Sequence, residues 1–255
     1  MSAPPPAPAG QPHSPGAAWQ SAELAASFAE RRRILVPLLD VQEEVLALVL
    51  SRGERPIGRF LDLGCGAGGV SELVLGTQPG SEGVLVDFSE PMLERAAAQL
   101  AAFDGRWRAV RGDLNDPSWP RALPDGRYDA VVSGLAIHHV PAERKRALFA
   151  EALALLEPGG LFVNMDYVAI EGPLRGLFDE RMRANAVAHE HAGGGTRSAE
   201  EVDVEDDDDR PDSVEDQLRW LREAGFEQVE VHFKWAEAAI YGGMKPAQGA
   251  RPQEP

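Results

Sequence analysis

The chain carries a single cysteine, Cys65, in 255 residues, so no disulfide can form within it, and it suits a reducing compartment. Basic side chains are scarce too. There are 25 Lys and Arg against 41 Asp and Glu, a formal net charge of −16. Proteins that grip a phosphate backbone draw their affinity from Lys and Arg, so nucleic acid is not an expected partner. No apolar run reaches the ~20 residues that span a bilayer. The opening MSAPPPAPAGQPHSPG has neither the basic nor the apolar segment of a secretory signal. These absences predict a cytoplasmic chain with no membrane partner. The length allows one substantial core, and one domain with tails is the expected organisation.

What is present centres on FLDLGCGAGG, Phe60 to Gly69. An apolar run ends in Asp62, glycines follow at 64, 66 and 68, and Val70, Leu73 and Val74 open a helical pattern. This predicts strand, tight turn, helix. Alternate glycines let the backbone turn through positive φ and leave no side chain between the main chain and a ligand lying over it. A second apolar run, VLVD, ends in Asp87, nineteen residues beyond Gly68. At about that offset in a βαβ unit an acid hydrogen-bonds ribose hydroxyls. Asp62 would repel a pyrophosphate, so the loop suits a cationic or zwitterionic ligand.

DLGCGAG, VDFSEPML, GDLND, YDAVVSGLAIHHV and LLEPGGLFV occur in this order, and together they resemble the motifs of class I S-adenosylmethionine-dependent methyltransferases from about Phe60 to Asp166. The resemblance implies an α/β fold: a Rossmann-like, doubly wound seven-stranded sheet with an antiparallel last strand. It also implies S-adenosyl-L-methionine as cofactor. The loop of Asp62, Gly64, Cys65, Gly66 and Gly68 would hold its methionine part, Asp87 the ribose, and Asp113, between Gly112 and Leu114, the adenine amino group. Phe88 and Met92 stand where side chains flank the adenine, although Met92 serves equally well as core. An Asp at position 113 can also simply bond its own backbone.

Ser133 and Gly134 leave the expected fourth strand at the central crevice, followed by His138 and His139. Imidazole titrates near neutrality, which makes this pair the candidate general base. A histidine here can equally hydrogen-bond backbone and hold the next helix start. Pro141 is expected to open a helix that buries Leu148, Phe149, Leu153 and Leu156 and stops at Pro158-Gly159-Gly160, with strand five over Leu161 to Asp166.

Around this core, residues 1–18 and 247–255 read as tails, and 19–246 as the domain. Within it, 19–52 is a helical cap and 167–212 an insertion with an acidic loop. By resemblance, cap and insertion would cover a small-molecule acceptor, with Trp19, Phe28, Tyr167 and Phe178 as candidate contacts. Asp206 to Asp209 lack a spaced oxygen cage and read as a solvated loop, so no metal is expected. Ser213 and Asp216 form a capping box, and Gly225 ends the helix it opens.

SVEDQLRWLREAGFEQVEVHFKW and YGGMKP also resemble the C-terminal part of carboxy-S-adenosylmethionine synthases, which act on the cofactor itself. The arginine which that family places upstream of this helix has no counterpart between Glu200 and Asp209. Three alternatives to methyl transfer therefore stand: such a synthase, a cofactor-binding protein without chemistry, and a nicotinamide dehydrogenase. Asp62 and the seven-strand ending weigh against the last.

Overall fold

The computed structural model describes residues 20–22, 36–51, 56–170, 172, 175–177, 180, 181, 183, 184, 187 and 209–247. Trp19, Phe28, Phe178, residues 1–18 and 248–255, Asp206 to Asp208, residues 23–35 of the cap and most of the insertion lie outside them. The elements are α1 (Leu39–Leu50), β1 (Arg59–Leu63), α2 (Gly69–Thr77), β2 (Glu82–Asp87), α3 (Glu90–Gln99), β3 (Trp107–Arg111), β4 (Tyr128–Gly134), α4 (Ala142–Leu155), β5 (Leu156–Tyr167), α5 (Val214–Ala224), β6 (Glu227–Trp235) and β7 (Ala238–Met244). The sheet order is β3-β2-β1-β4-β5-β7-β6. Strands β1 to β5 run parallel, and β7 is antiparallel to both β5 and β6.

Side-chain alternation along the strands divides the core between two faces. Leu61, Leu63, Val84, Val86 and Val131 point towards Leu148, Phe149 and Ala152 of α4 and Trp220 and Leu221 of α5. Phe60, Leu85, Ala130, Val132 and Met165 point towards Leu46 and Val49 of α1, Val70 and Val74 of α2, and Leu93 and Ala96 of α3. With helices on both faces, the main open ground for a ligand is the edge where strands end. The order reverses between β1 and β4, opening a crevice at their carboxyl ends.

Local signals set several boundaries. Ser89 caps α3 by accepting the Met92 amide at 3.3 Å. Ser213 accepts the Asp216 amide at 3.1 Å, and Gly225, at φ 106°, ends α5. The expected stop at residues 158–160 is different. α4 ends at Leu155, β5 begins at once, and Pro158-Gly159-Gly160 lies inside the strand as a bulge. Tyr128 pairs with Leu156 but Ala130 with Leu161, so the intervening residues are extruded from the ladder. Leu156 accordingly packs from a strand, and Ala152 takes the buried helical position. Among the described residues no helix is long and apolar enough to cross a membrane.

Candidate functional site

After Leu63 the chain turns through Gly64, Gly66 and Gly68 with φ of 66°, 51° and 87°. A Cβ on Gly64 would lie 2.3 Å from the Ala136 Cβ, so this glycine permits contact with the loop after β4. A Cβ on Gly66 would meet nothing within 4 Å, because that face of the backbone is open. Gly68 packs on Leu100 at the start of α2. The turn is held from β2: Cys65 N–H donates to the Val86 carbonyl at 2.9 Å, and Gly66 N–H to Asp87 Oδ2 at 2.8 Å. The other oxygen, Asp87 Oδ1, accepts the Ser89 amide at 2.8 Å. Burial pushes the Asp87 carboxyl above its ordinary range, and these amides offset only part of that rise. Buried Asp62 accepts the Ser71 hydroxyl at 2.6 Å, which ties β1 to α2.

These residues face a cavity of about 290 Å³. Its wall includes Asp62, Gly64, Cys65, Gly66, Asp87, Phe88, Met92, Gly112, Asp113, Leu114, Gly134 and His139 of the sequence expectations. Gly68, Ser133, His138 and Tyr167 are not on it. Ser133 is structural, its hydroxyl donating to the Leu63 carbonyl at 2.7 Å across β4 and β1. Asp113 lines the cavity while its Oδ1 accepts the Asn115 amide at 2.8 Å, so it also makes the local turn bond. Sequence reasoning missed Glu43 of α1, Glu72 of α2, and Leu135 and Ala136. Among the described lining residues there are five carboxylates and no Lys or Arg. That donor set suits a cation lying over bare backbone and repels phosphate.

The two histidines diverge. Beyond β4, Leu135 takes a positive φ of 55°, and a short turn spans Ile137–His139. His138 points away from the cavity into a buried polar chain. Its amide donates to Asp166 Oδ2 at 2.9 Å, and its Nδ1 meets Asp166 Oδ1 at 2.5 Å. Asn164 bridges Asp166 to the Tyr241 hydroxyl, which donates to Gln217. Gln217 reaches the Asp212 carbonyl, Lys145 binds Asp212 and the Arg210 carbonyl, and the Arg210 amide returns to the His138 carbonyl at 2.9 Å. Burial alone would lower the His138 pKa, but the Asp166 charge and hydrogen bond, with Asp209 behind them, lift it to about 9. At neutral pH His138 is therefore a cation and a poor proton acceptor. Its Nε2 lies 3.3 Å from Asp209 Oδ1, and His139 Nδ1 lies 3.2 Å from the same oxygen. The Tyr167 ring packs edge-on against His138.

Of this chain of residues, Lys145 carried a signal. It stands at the helical spacing of Leu148, Phe149 and Ala152, and a lysine on an apolar stripe marks a buried charge with a partner. Asp166 ends an apolar run as Asp62 and Asp87 do.

The profile described as "Methyltransferase domain" matches residues 60–160. A demethylmenaquinone methyltransferase of Clavibacter sepedonicus is 33% identical over 211 residues, covering 80% of this chain and 81% of its own. A carboxy-S-adenosyl-L-methionine synthase of Aeromonas hydrophila is 26% identical over 219 residues, covering 82% of each. Among solved structures, an O-methyltransferase family protein of Burkholderia thailandensis superposes with a TM-score of 0.66 at 18% identity, over 91% of this chain and 63% of that one. Human N-acetylserotonin methyltransferase in complex with its cofactor gives 0.60 at 16%, over 91% and 59%. This chain thus spans less than two thirds of the length of those solved structures. The fold, the glycine cradle with five carboxylates and no Lys or Arg among its described lining residues, and a relative matched along most of both chains lead to one conclusion: the chain belongs to the S-adenosylmethionine-dependent methyltransferase family.

Proposed function

We propose that the protein transfers the methyl group to a small-molecule acceptor by in-line displacement, with the cavity holding cofactor and acceptor end to end. The observation that carries this reading is the set of five carboxylates, with no Lys or Arg among the described lining residues, around bare glycine backbone. S-adenosylmethionine, when bound, supplies an electrophilic methyl on a sulfonium and so arrives already activated. What the chain contributes is binding, alignment and exclusion of water.

In this reading the backbone at Gly64 to Gly66 cradles the methionine part, and Asp62 and its neighbours complement the positive charge. Asp87 accepts the ribose hydroxyls on lone pairs not spent on Gly66 and Ser89. Phe88, Met92 and Leu114 flank the adenine, with Asp113 at its amino group. His139 stands on the wall beyond Gly134 and is assigned to the acceptor. His138, committed to Asp166, fixes the turn that presents it. The acidic chain favours a small acceptor over a nucleic acid.

The test is a labelled-methyl assay against small phenols, quinols and amines. Stoichiometric S-adenosylhomocysteine and a labelled small product support the reading. Tight cofactor binding with no turnover on any of them contradicts it.

The long match to carboxy-S-adenosyl-L-methionine synthases favours a second reading, modification of the cofactor itself. Against it, no Lys or Arg among the described lining residues could pair with an added carboxylate. Mass spectrometry of the recovered cofactor separates the two, since the synthase reaction leaves a heavier, carboxylated cofactor.

A further inference from the structure

The geometry points to a second binding site beside the cavity: a site for one divalent transition-metal ion, held by His138 Nε2, His139 Nδ1 and Asp209 Oδ1. The three atoms all lie within 4.8 Å of one another, with two edges of 3.3 and 3.2 Å meeting at the carboxylate oxygen. A triangle with those edges has a circumradius of roughly 2.4 Å or less, so a point exists that is close to the ~2.0–2.2 Å bonds transition ions make to imidazole and carboxylate. Both edges exceed the ~2.7–2.9 Å of a charge-assisted hydrogen bond. Asp209 Oδ1 is buried and faces both imidazoles, and within the described residues these are the groups it meets. Three ligand-type atoms from two histidines and one carboxylate thus converge on a common centre, at separations longer than a charge-assisted hydrogen bond.

The surroundings are those of a supported metal site. Nδ1 of His138 is engaged by Asp166, which fixes the ring and turns Nε2 towards the centre. A carboxylate behind a ligating histidine plays this part in known sites. Asp209 comes from a distant part of the chain, yet its neighbour is anchored: the Arg210 amide donates to the His138 carbonyl, and Lys145 holds the Arg210 carbonyl and Asp212. Two neutral imidazoles, Asp166, Asp209 and a divalent ion sum to zero charge, the favourable balance for a buried cluster. Binding the ion displaces any proton on the ligating nitrogens. Two histidines and one carboxylate leave coordination positions open, and His139 sits on the cavity wall. An acceptor hydroxyl coordinated there would have its pKa lowered, with the ion rather than a free imidazole promoting loss of the proton.

The test needs neither acceptor nor turnover, so it stands apart from the proposed methyl transfer. Chelator-stripped full-length protein is titrated with Zn²⁺ by equilibrium dialysis and with Co²⁺ by visible absorption, beside Asp209→Asn and His139→Gln. Both substituted positions are partly exposed, and folding of the variants is checked by circular dichroism and by retained cofactor binding. The expected result is one ion per chain, a Co²⁺ ligand-field band, and affinity at least about tenfold weaker in each variant. Asp166→Asn should weaken it by about 10- to 100-fold. Absence of Zn²⁺ binding by the wild type, or equal binding by wild type and both variants, would overturn the site.

Discussion

Asp87 Oδ2 accepts the Gly66 amide at 2.8 Å although the two residues stand 21 positions apart. The acid assigned to the ribose is thus also a strut of the glycine loop. Its other oxygen holds the Ser89 amide at the entrance to α3. Asp87→Ala removes two hydrogen bonds to a charged group, each worth about 1.5–3 kcal/mol. The expected outcome is loss of cofactor binding together with a lowered Tm, whereas a ribose contact alone would leave Tm unchanged. Thermal melts beside calorimetry decide between them.

Two neighbouring glycines should respond differently to the same methyl group. In Gly64→Ala the new Cβ collides with Ala136, so the variant should be strongly destabilised. In Gly66→Ala it meets open space, and the left-handed backbone costs only about 1–2 kcal/mol. Because that open space is the cavity, Gly66→Ala should fold and yet bind the cofactor poorly. Denaturant midpoints and binding isotherms on both variants check this.

The pH dependence of binding follows from Asp87. Its folded pKa is raised, chiefly by burial, so the carboxyl takes up its proton at a higher pH than an exposed aspartate does. The protonated form cannot accept both ribose hydroxyls and both amides. Cofactor affinity should therefore fall on acidification, beginning above the usual aspartate range. The sign for stability is the opposite: the contribution of Asp87 is greatest below its unfolded pKa and is lost as pH rises through the raised folded value. Isotherms over a descending pH series, with Asp87→Asn giving a weak and flat profile, test the first statement.

The histidines separate stability from turnover. His138→Ala leaves Asp166 buried without its cation, a change that typically costs about 3–5 kcal/mol. His139→Ala disturbs a side chain that is 20% exposed and on the cavity wall. It should fold with near-normal Tm and lose more than about tenfold in kcat. Melting curves and initial rates on the two variants give the comparison.

How much of this was legible in the sequence depends on the range of the contact concerned. The strand–turn–helix at Gly64 to Gly68, the caps at Ser213 and Gly225, and Asp87 at the end of β2 are written in neighbouring residues. All of them appear where expected. The start of β5 was not legible. Pro158-Gly159-Gly160 reads locally as a stop, and only pairing of Leu156 with Tyr128 across the sheet makes it a bulge. The environment of His138 was equally hidden, because it joins Lys145, Asn164, Asp166, Asp209, Asp212, Gln217 and Tyr241 from five separate parts of the chain. Asp209 looked like one of four solvated acids until folding set it against two imidazoles.

Cys65 provides a probe of the cavity. It is 7% exposed, and burial, reinforced by the charges of Asp87 and Asp62, pushes its thiol well above its ordinary pKa. As the chain's sole thiol it should react slowly with a thiol reagent in the native state and fast once unfolded. Because it lines the cavity, bound cofactor should slow the native reaction further. Labelling time courses with and without S-adenosylhomocysteine measure both effects.

The most direct measurement is calorimetric titration of the wild type, Gly66→Ala and Asp87→Ala with S-adenosylmethionine and S-adenosylhomocysteine. Micromolar-range 1:1 binding to the wild type, lost in both variants while Gly66→Ala stays folded, is the predicted result. Absence of binding to either compound, or binding unchanged in a folded Gly66→Ala, would contradict the assignment of the cavity.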